Sequence, residues 1–250
     1  MTTPESNPEG IRSAGGHLAP LAGSGPEHAH EHLPAWASTL VVVAHPDDES
    51  FGLGAIIEQM TSNGTVVNIL CYTHGEASTL NETGADLRRA REEELRLATA
   101  ELGAASFTLL SYPDGGLAAI AVAELAERVA ELIERHQPDG LLVFDESGIT
   151  GHPDHQAATR AAVVTGEASG LPVLAWSLPS VVADRLSAET GAPFAGQDPG
   201  RIDLCVRVDR EAQRRAALRH ATQVSPTAVL WRRLQLQGDC EHLRWLRPSG

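Results

Sequence analysis

Residues 39–49 read Thr-Leu-Val-Val-Val-Ala-His-Pro-Asp-Asp-Glu. The first six make a short, unbroken apolar run, the pattern of a strand covered on both faces rather than one with a wet side. Such a strand belongs inside a parallel sheet flanked by two helical layers. The run stops at once in a histidine, a proline and three acids. Outward from it the same alternation recurs. Helical periodicity spans 53–62 and stops at Gly64; a strand follows at 65–72. An amphipathic helix is expected over 86–102, closed by Gly103, then a strand at 106–110 and a helix over 120–136 that Gln137-Pro138 ends. Strands at 141–144, 172–176 and 203–208 and helices at 154–165, 211–222 and 227–236 complete the series. Residues 185–200 read as a polar loop. The alternation predicts an α/β fold, a Rossmann-like three-layer sandwich with a mainly parallel central sheet. Ligands of such sheets bind beyond the carboxyl ends of the strands.

The chain has 250 residues, of which 42% are hydrophobic, enough for one sizeable core. Residues 1–37, rich in Gly, Pro, Ser and Glu, read as a flexible leader, and 38–250 as a single domain. The leader holds His28, His30 and His32, taken as a solvated cluster. No apolar run is long enough to span a bilayer, and the start lacks a signal-peptide pattern, so no membrane anchor and a cytoplasmic location are expected. The net charge of −14 argues against nucleic acid and anionic membrane as partners. All 19 basic residues are arginine, which excludes Schiff-base and phosphate-loop lysines. Cys71, Cys205 and Cys240 lie far apart, so no disulfide is expected. The basic stretch Arg207, Arg210, Arg214, Arg215 and Arg219 reads as a solvated face.

The chemistry concentrates at two places. Ala44-His45-Pro46-Asp47-Asp48-Glu49 sits at the carboxyl end of the first strand. Adjacent carboxylates beside a core repel unless a cation balances them. The fourth strand is followed by Gly151-His152-Pro153-Asp154-His155, where proline suits the first turn of a helix and the two histidines fall near each other across it. Two His-Pro-Asp segments at corresponding strand ends point to one shared metal centre. Histidine and aspartate are good zinc ligands, and iron(II) or cobalt(II) takes the same set.

These residues resemble the LmbE-like or PIG-L-type zinc N-deacetylases, which act on amino sugars. AHPDDE at 44–49 and GHPDH at 151–155 carry the likeness. Arg91-xx-Glu94 and the His220–Gln223 segment support it. The resemblance implies an LmbE-like fold over about 39–247 and removal of an N-acetyl or other N-acyl group from an amino sugar or related small amide. It implies His45, Asp48 and His155 as zinc ligands, Asp47 as general base, His152 as oxyanion partner held by Asp154, and Glu49 behind the ligands. Arg91, Glu76 and Asp114 are the expected substrate contacts. His74 is expected to be structural and Cys71 to be core.

Rival readings fit less well. A dinucleotide site needs a glycine-rich turn where this chain has His-Pro-Asp-Asp-Glu. No Gly-x-Ser-x-Gly elbow appears for a serine hydrolase. A non-catalytic metal protein would lack the base or the oxyanion partner, and both Asp47 and His152 are present. An amidase of a larger thiol or natural-product conjugate is the alternative within the same chemistry. The long amphipathic helices leave a homo-oligomer open.

Overall fold

A computed structural model of the chain describes residues 32–80 and 86–248. Seven strands, β1 (Ser38–Val43), β2 (Val66–Thr73), β3 (Ser106–Tyr112), β4 (Gly140–Phe144), β5 (Val173–Ser177), β6 (Leu204–Arg207) and β7 (Cys240–Arg247), form one sheet in the order β3-β2-β1-β4-β5-β7-β6. The first five in that order are parallel; β7 and β6 continue the sheet antiparallel. The run at 39–44 supplies β1, third in that order and flanked by β2 and β4, and its alternate residues face two separate cores, which is why every position after Thr39 is apolar. Val41 and Val43 enter one core cluster with Ile56, Leu95 and Trp176, while Leu40 and Val42 enter a second with Val129 and Ala162.

The helices fill both layers. They are α1 (Asp48–Phe51), α2 (Gly54–Ser62), α3 (Leu87–Glu101), α4 (Val122–His136), α5 (Gly148–Gly151), α6 (Pro153–Ser169), α7 (Ser180–Thr190), α8 (Glu211–Arg219) and α9 (Val229–Gln237). The mainly parallel α/β sandwich expected from the alternation is therefore the observed architecture. Strand order reverses between β1 and β4, which leaves a crevice at their carboxyl ends. Both His-Pro-Asp segments follow those two strands.

Five local readings need correction. Packing begins before residue 38: Leu33 and Trp36 lie against the first core cluster, and the Asp139 carboxylate accepts the Ala37 and Ser38 amides. The rest of the expected leader, His28 and His30 included, lies outside the described residues. Residues 185–190 belong to α7 and 199–200 to a short 3-10 turn (Pro199–Arg201), so only 191–198 of the expected 185–200 loop lacks helix. Strand β7 was not anticipated; its Glu241, His242 and Arg244 are polar or charged types that break any apolar run, yet all are buried. Glu241 is held by Arg210, Arg233 and the Trp176 indole N–H at 2.7 Å, and Arg244 by Asp145 at 2.6 Å. Arg210 is thus a buried partner rather than part of a solvated face, whereas Arg215 and Arg219 do pair with Glu101 on the surface. Finally, β6 and β7 bring Cys205 and Cys240 together as a disulfide, with Cα atoms 6.3 Å apart across 35 residues of sequence. Cys71 is buried, as expected. No helix among the described residues is long and apolar enough to cross a membrane.

Candidate active site

The turn after β1 is built to hold side chains in place. Asp47 adopts φ 112°, ψ −28°, a left-handed conformation that costs a non-glycine residue of order 1–3 kcal/mol. Two partners retain it. Its amide donates to Glu49 Oε2 at 3.0 Å, and its carbonyl accepts the amides of Ser50 and Phe51 at the start of α1. The turn sends Asp48 back over the strand end, where Oδ2 accepts the amides of Ala44 and His45 at 3.2 and 2.9 Å. A second left-handed non-glycine residue, Ile149 at φ 67°, lies in the turn before α6 that aims His152 and His155 inward.

The ligand candidates converge. One donor atom each of His45, Asp48 and His155 lies within 4.8 Å of the others. Asp48 Oδ1 faces His155 Nε2 at 3.2 Å. The other ring nitrogen of His155, Nδ1, meets the Gly148 carbonyl at 3.2 Å, the outward hydrogen bond that orients a metal-bound imidazole. His45 is arranged likewise. Its Nε2 meets Asp114 Oδ1 at 3.0 Å and Asp154 Oδ2 at 3.2 Å, which leaves Nδ1, 3.6 Å from Asp48 Oδ2, as the inward nitrogen. Burial alone would lower the His45 pKa, but the hydrogen bonds its ring donates to the Asp114, Asp154 and Asp48 carboxylates raise it to about 12. Burial favours a neutral Asp48, yet His155 and His45 hold its carboxyl well below the usual range. Such a surplus of buried carboxylate around two imidazoles is what a divalent cation balances. The donor set therefore fits a metal at His45, Asp48 and His155. His45, His152 and Asp154 form an overlapping group, but the Asp154 oxygens are already taken by the amides of Gly115 and Leu117 at 2.7 and 3.0 Å and by His45.

Several expected residues take different positions from those anticipated. Asp154 does not hold His152 by its carboxylate, which is fully buried and turned to His45 and the 115–117 loop. It is the Asp154 amide that donates to His152 Nδ1 at 3.2 Å. An accepting Nδ1 puts the proton of a neutral ring on Nε2. Burial, with His155 and His45 nearby, pushes His152 below the ordinary histidine value, so a neutral Nε2–H donor is the favoured form. Arg91 is not a free substrate arginine either. It is 3% exposed and donates to the Gly75 and Pro46 carbonyls and, at 2.9 Å, to Asp47 Oδ2. Gly75, at φ +63°, has no room for a Cβ, which would overlap the guanidinium. Burial pushes Asp47 up, Arg91 pulls it down, and the balance lies at about 6. Asp114 spends one oxygen on His45 and the other on the Ala77 amide at 2.7 Å.

Glu49 stands behind the turn as expected, fully buried, with Oε1 bonded to Ser50 Oγ and to His220 Nε2 at 2.7 Å. Sequence reasoning left two functions unread. His220 braces Glu49 from α8's end, and Glu94 accepts both the amide and the hydroxyl of Thr222 at 2.8 Å, tying that segment to α3. The Arg91-xx-Glu94 spacing, one helical turn, was the available signal. Glu76 keeps a buried Oε2 with no partner, next to Asp114, and Arg88 lies 3.6 Å from its other oxygen. His74 bonds Ser111 and the Arg88 carbonyl, away from the ligand candidates, as a structural residue would.

Comparison with known proteins agrees with the geometry. Residues 40–165 match the family model "PIG-L: GlcNAc-PI de-N-acetylase". A 1D-myo-inositol 2-acetamido-2-deoxy-alpha-D-glucopyranoside deacetylase of Salinispora arenicola is 30% identical over 239 residues, covering 77% of this chain and 78% of that protein. The fold resembles the N,N'-diacetylchitobiose deacetylase of Pyrococcus horikoshii, with TM-score 0.64, 21% identity and 85% of each chain covered. It resembles equally GalB, the 4-carboxy-2-hydroxymuconate hydratase of Pseudomonas putida, with TM-score 0.64, 20% identity and coverage of 85% and 97%. The fold alone thus does not choose a reaction; the side chains at the strand ends must.

Proposed function

The chain belongs to the PIG-L: GlcNAc-PI de-N-acetylase family, and from that premise we propose that it hydrolyses the N-acyl amide of an amino sugar, with zinc at His45, Asp48 and His155. The observation that carries the reading is the convergence of those three donors beside an aspartate, Asp47, that lies outside the donor group and pairs with Arg91. Zinc at this site supplies Lewis acidity that polarises the amide carbonyl and makes water a nucleophile near neutral pH.

The chain's own groups do the rest. Arg91 occupies Asp47 Oδ2, which leaves Oδ1 to accept the proton of the attacking water. A pKa of about 6 suits a base that works near neutrality. The Nε2–H of His152 donates to the developing oxyanion; such a donor is worth about 2.7–4 kcal/mol. Asp114 and Asp154 hold the His45 ring, and Glu49 with His220 holds the strained backbone of Asp47. Glu76, with its unpartnered oxygen, accepts a sugar hydroxyl. Iron(II) and cobalt(II) fit the same donors.

The test is metal content per chain together with amine release from N-acetylglucosamine and its glycosides. One ion per chain is expected, with turnover that Asp47→Ala abolishes while the ion is kept. Turnover that survives Asp47→Ala removes Asp47 as base, and a wild-type chain that takes up no metal overturns the proposal.

A further inference from the structure

A cavity of about 200 Å³ adjoins the ligand candidates on the side away from Glu76, and Asp48 and His155 are among its walls. The remaining lining is mainly apolar: Phe51, Phe144, Trp176, Phe194 and Leu230. The rings are continuous with the site. Phe144 packs edge-on to His155 at 5.0 Å and tilted against Trp176 at 5.2 Å. Gly52 permits this, since a Cβ there would overlap the Phe144 ring. The cavity reaches the surface at Val229, which is 38% exposed.

The two flanks of the ligand candidates differ in chemistry. On one, beyond β2 and β3, stand Glu76, with an unpartnered carboxylate oxygen, and Arg88, groups that bond hydroxyls. On the other, a sugar would leave its hydroxyls without partners, at a cost of roughly 1–3 kcal/mol each. Arg233 lines the apolar cavity but is no anion receptor. Its guanidinium already serves the Phe51 carbonyl, Gln237 and Glu241, with the Trp176 ring 4.8 Å away.

We infer that this cavity receives the acyl chain of the substrate, and that the preferred amide carries a neutral aliphatic acyl group of about six carbons rather than acetyl. The inference rests on the amide-hydrolase reading of the same site. At the liquid share of about 30 Å³ per water-sized group, 200 Å³ holds a chain of roughly six heavy atoms. The reaction is otherwise unchanged: water is consumed, the amide C–N bond breaks, the carbonyl carbon gains oxygen to become the carboxylic acid, and the nitrogen gains a proton to leave as the amine. Each methylene that enters the cavity is worth about fourfold in kcat/KM, from the transfer energy of a buried methylene.

The experiment is a chain-length series of N-acetyl-, N-butanoyl-, N-hexanoyl- and N-octanoylglucosamine, with N-succinylglucosamine as the charged control, on the metal-loaded enzyme. The expected result is a rise to hexanoyl, at least tenfold over acetyl, and no gain for succinyl. Val229→Trp, which intrudes on the cavity, is expected to cut the hexanoyl-to-acetyl ratio at least tenfold, and Phe194→Ala to move the optimum to a longer chain. Cleavage of the acetyl amide with a monotonic fall along the series, or a preference for succinyl, overturns this inference and leaves the amide hydrolase intact. If no amide is cleaved, the hydrolase reading fails, and binding to the metal-free protein decides the cavity. Hexanoylglucosamine is then expected to bind at least tenfold more tightly than acetylglucosamine by titration calorimetry; equal binding overturns the inference.

Discussion

Replacing Arg91 with Met separates two roles that the sequence alone confuses. A substrate arginine would raise KM and leave kcat nearly intact when removed. The structure instead commits this guanidinium to the Gly75 and Pro46 carbonyls and to Asp47 Oδ2. Breaking a buried ion pair costs about 3–5 kcal/mol. The Asp47 side chain keeps 18% exposure and some solvation, so the lower end, about 3 kcal/mol, applies. For a chain of this size that is a fall in Tm of about 6–12 °C. Asp47 then loses the contact that fixes its carboxylate, and a displacement of about 1 Å costs roughly 10²-fold in rate. The expected outcome for Arg91→Met is therefore kcat down about a hundredfold, KM within about threefold of wild type, and a lower melting temperature. Steady-state kinetics on an N-acylglucosamine with a free-amine assay, and thermal unfolding, measure all three. Gly75→Ala should show the same signature, because the added methyl occupies the guanidinium's place. A raised KM with unchanged kcat in Arg91→Met would refute the reasoning and restore Arg91 as a substrate contact.

Three further outcomes follow from groups away from the ligand candidates. Glu94→Gln leaves one of the two Thr222 donors short of an acceptor; it should cost about 1.5–3 kcal/mol and speed amide hydrogen exchange at Thr222 and Gln223, and unchanged exchange there would refute the clamp. Glu241→Gln strands Arg210 and Arg233 and should cost about 3 kcal/mol at pH 7 by denaturant unfolding. Burial favours the protonated Glu241, but the two arginines hold its folded-state pKa below 4.5, so its stabilisation is present above the unfolded pKa of about 4.5 and is lost as pH falls through the lower folded value. The gap between Glu241→Gln and wild type should accordingly close in acid; a gap constant down to pH 3 would sink that account. Reducing Cys205–Cys240 frees a loop of 35 residues and should cost about 3–4 kcal/mol on the chain-entropy scale, with thiol titration of the denatured chain rising from one group to three.

Local order and chemistry were legible in the residues themselves. An apolar run requires cover on both faces, so β1 and β4, and with them the parallel sheet, follow from composition over a few residues. The two His-Pro-Asp segments at strand ends name the ligand candidates, because carboxylates crowded beside a core need a cation. What the sequence withheld depends on partners distant in the chain. Strand β7 is buried with Glu241 and Arg244 because Arg210, Arg233 and Asp145 arrive from elsewhere to neutralise them, and no window along 240–247 contains those partners. Cys205 and Cys240 meet only when β6 and β7 pair. Arg91 and Asp154 have the residue types of a substrate contact and a histidine holder, yet both serve the frame, and that was decided by direction. The side chain of Arg91 crosses from α3 to the turn after β1, and the Asp154 carboxylate crosses to His45 and the 115–117 loop. Residue type fixes which bonds a side chain is able to make; only the tertiary structure brings one partner within 3 Å and keeps the others away, and at this site that proximity separates the groups that hold the reactive centre from those left free to act.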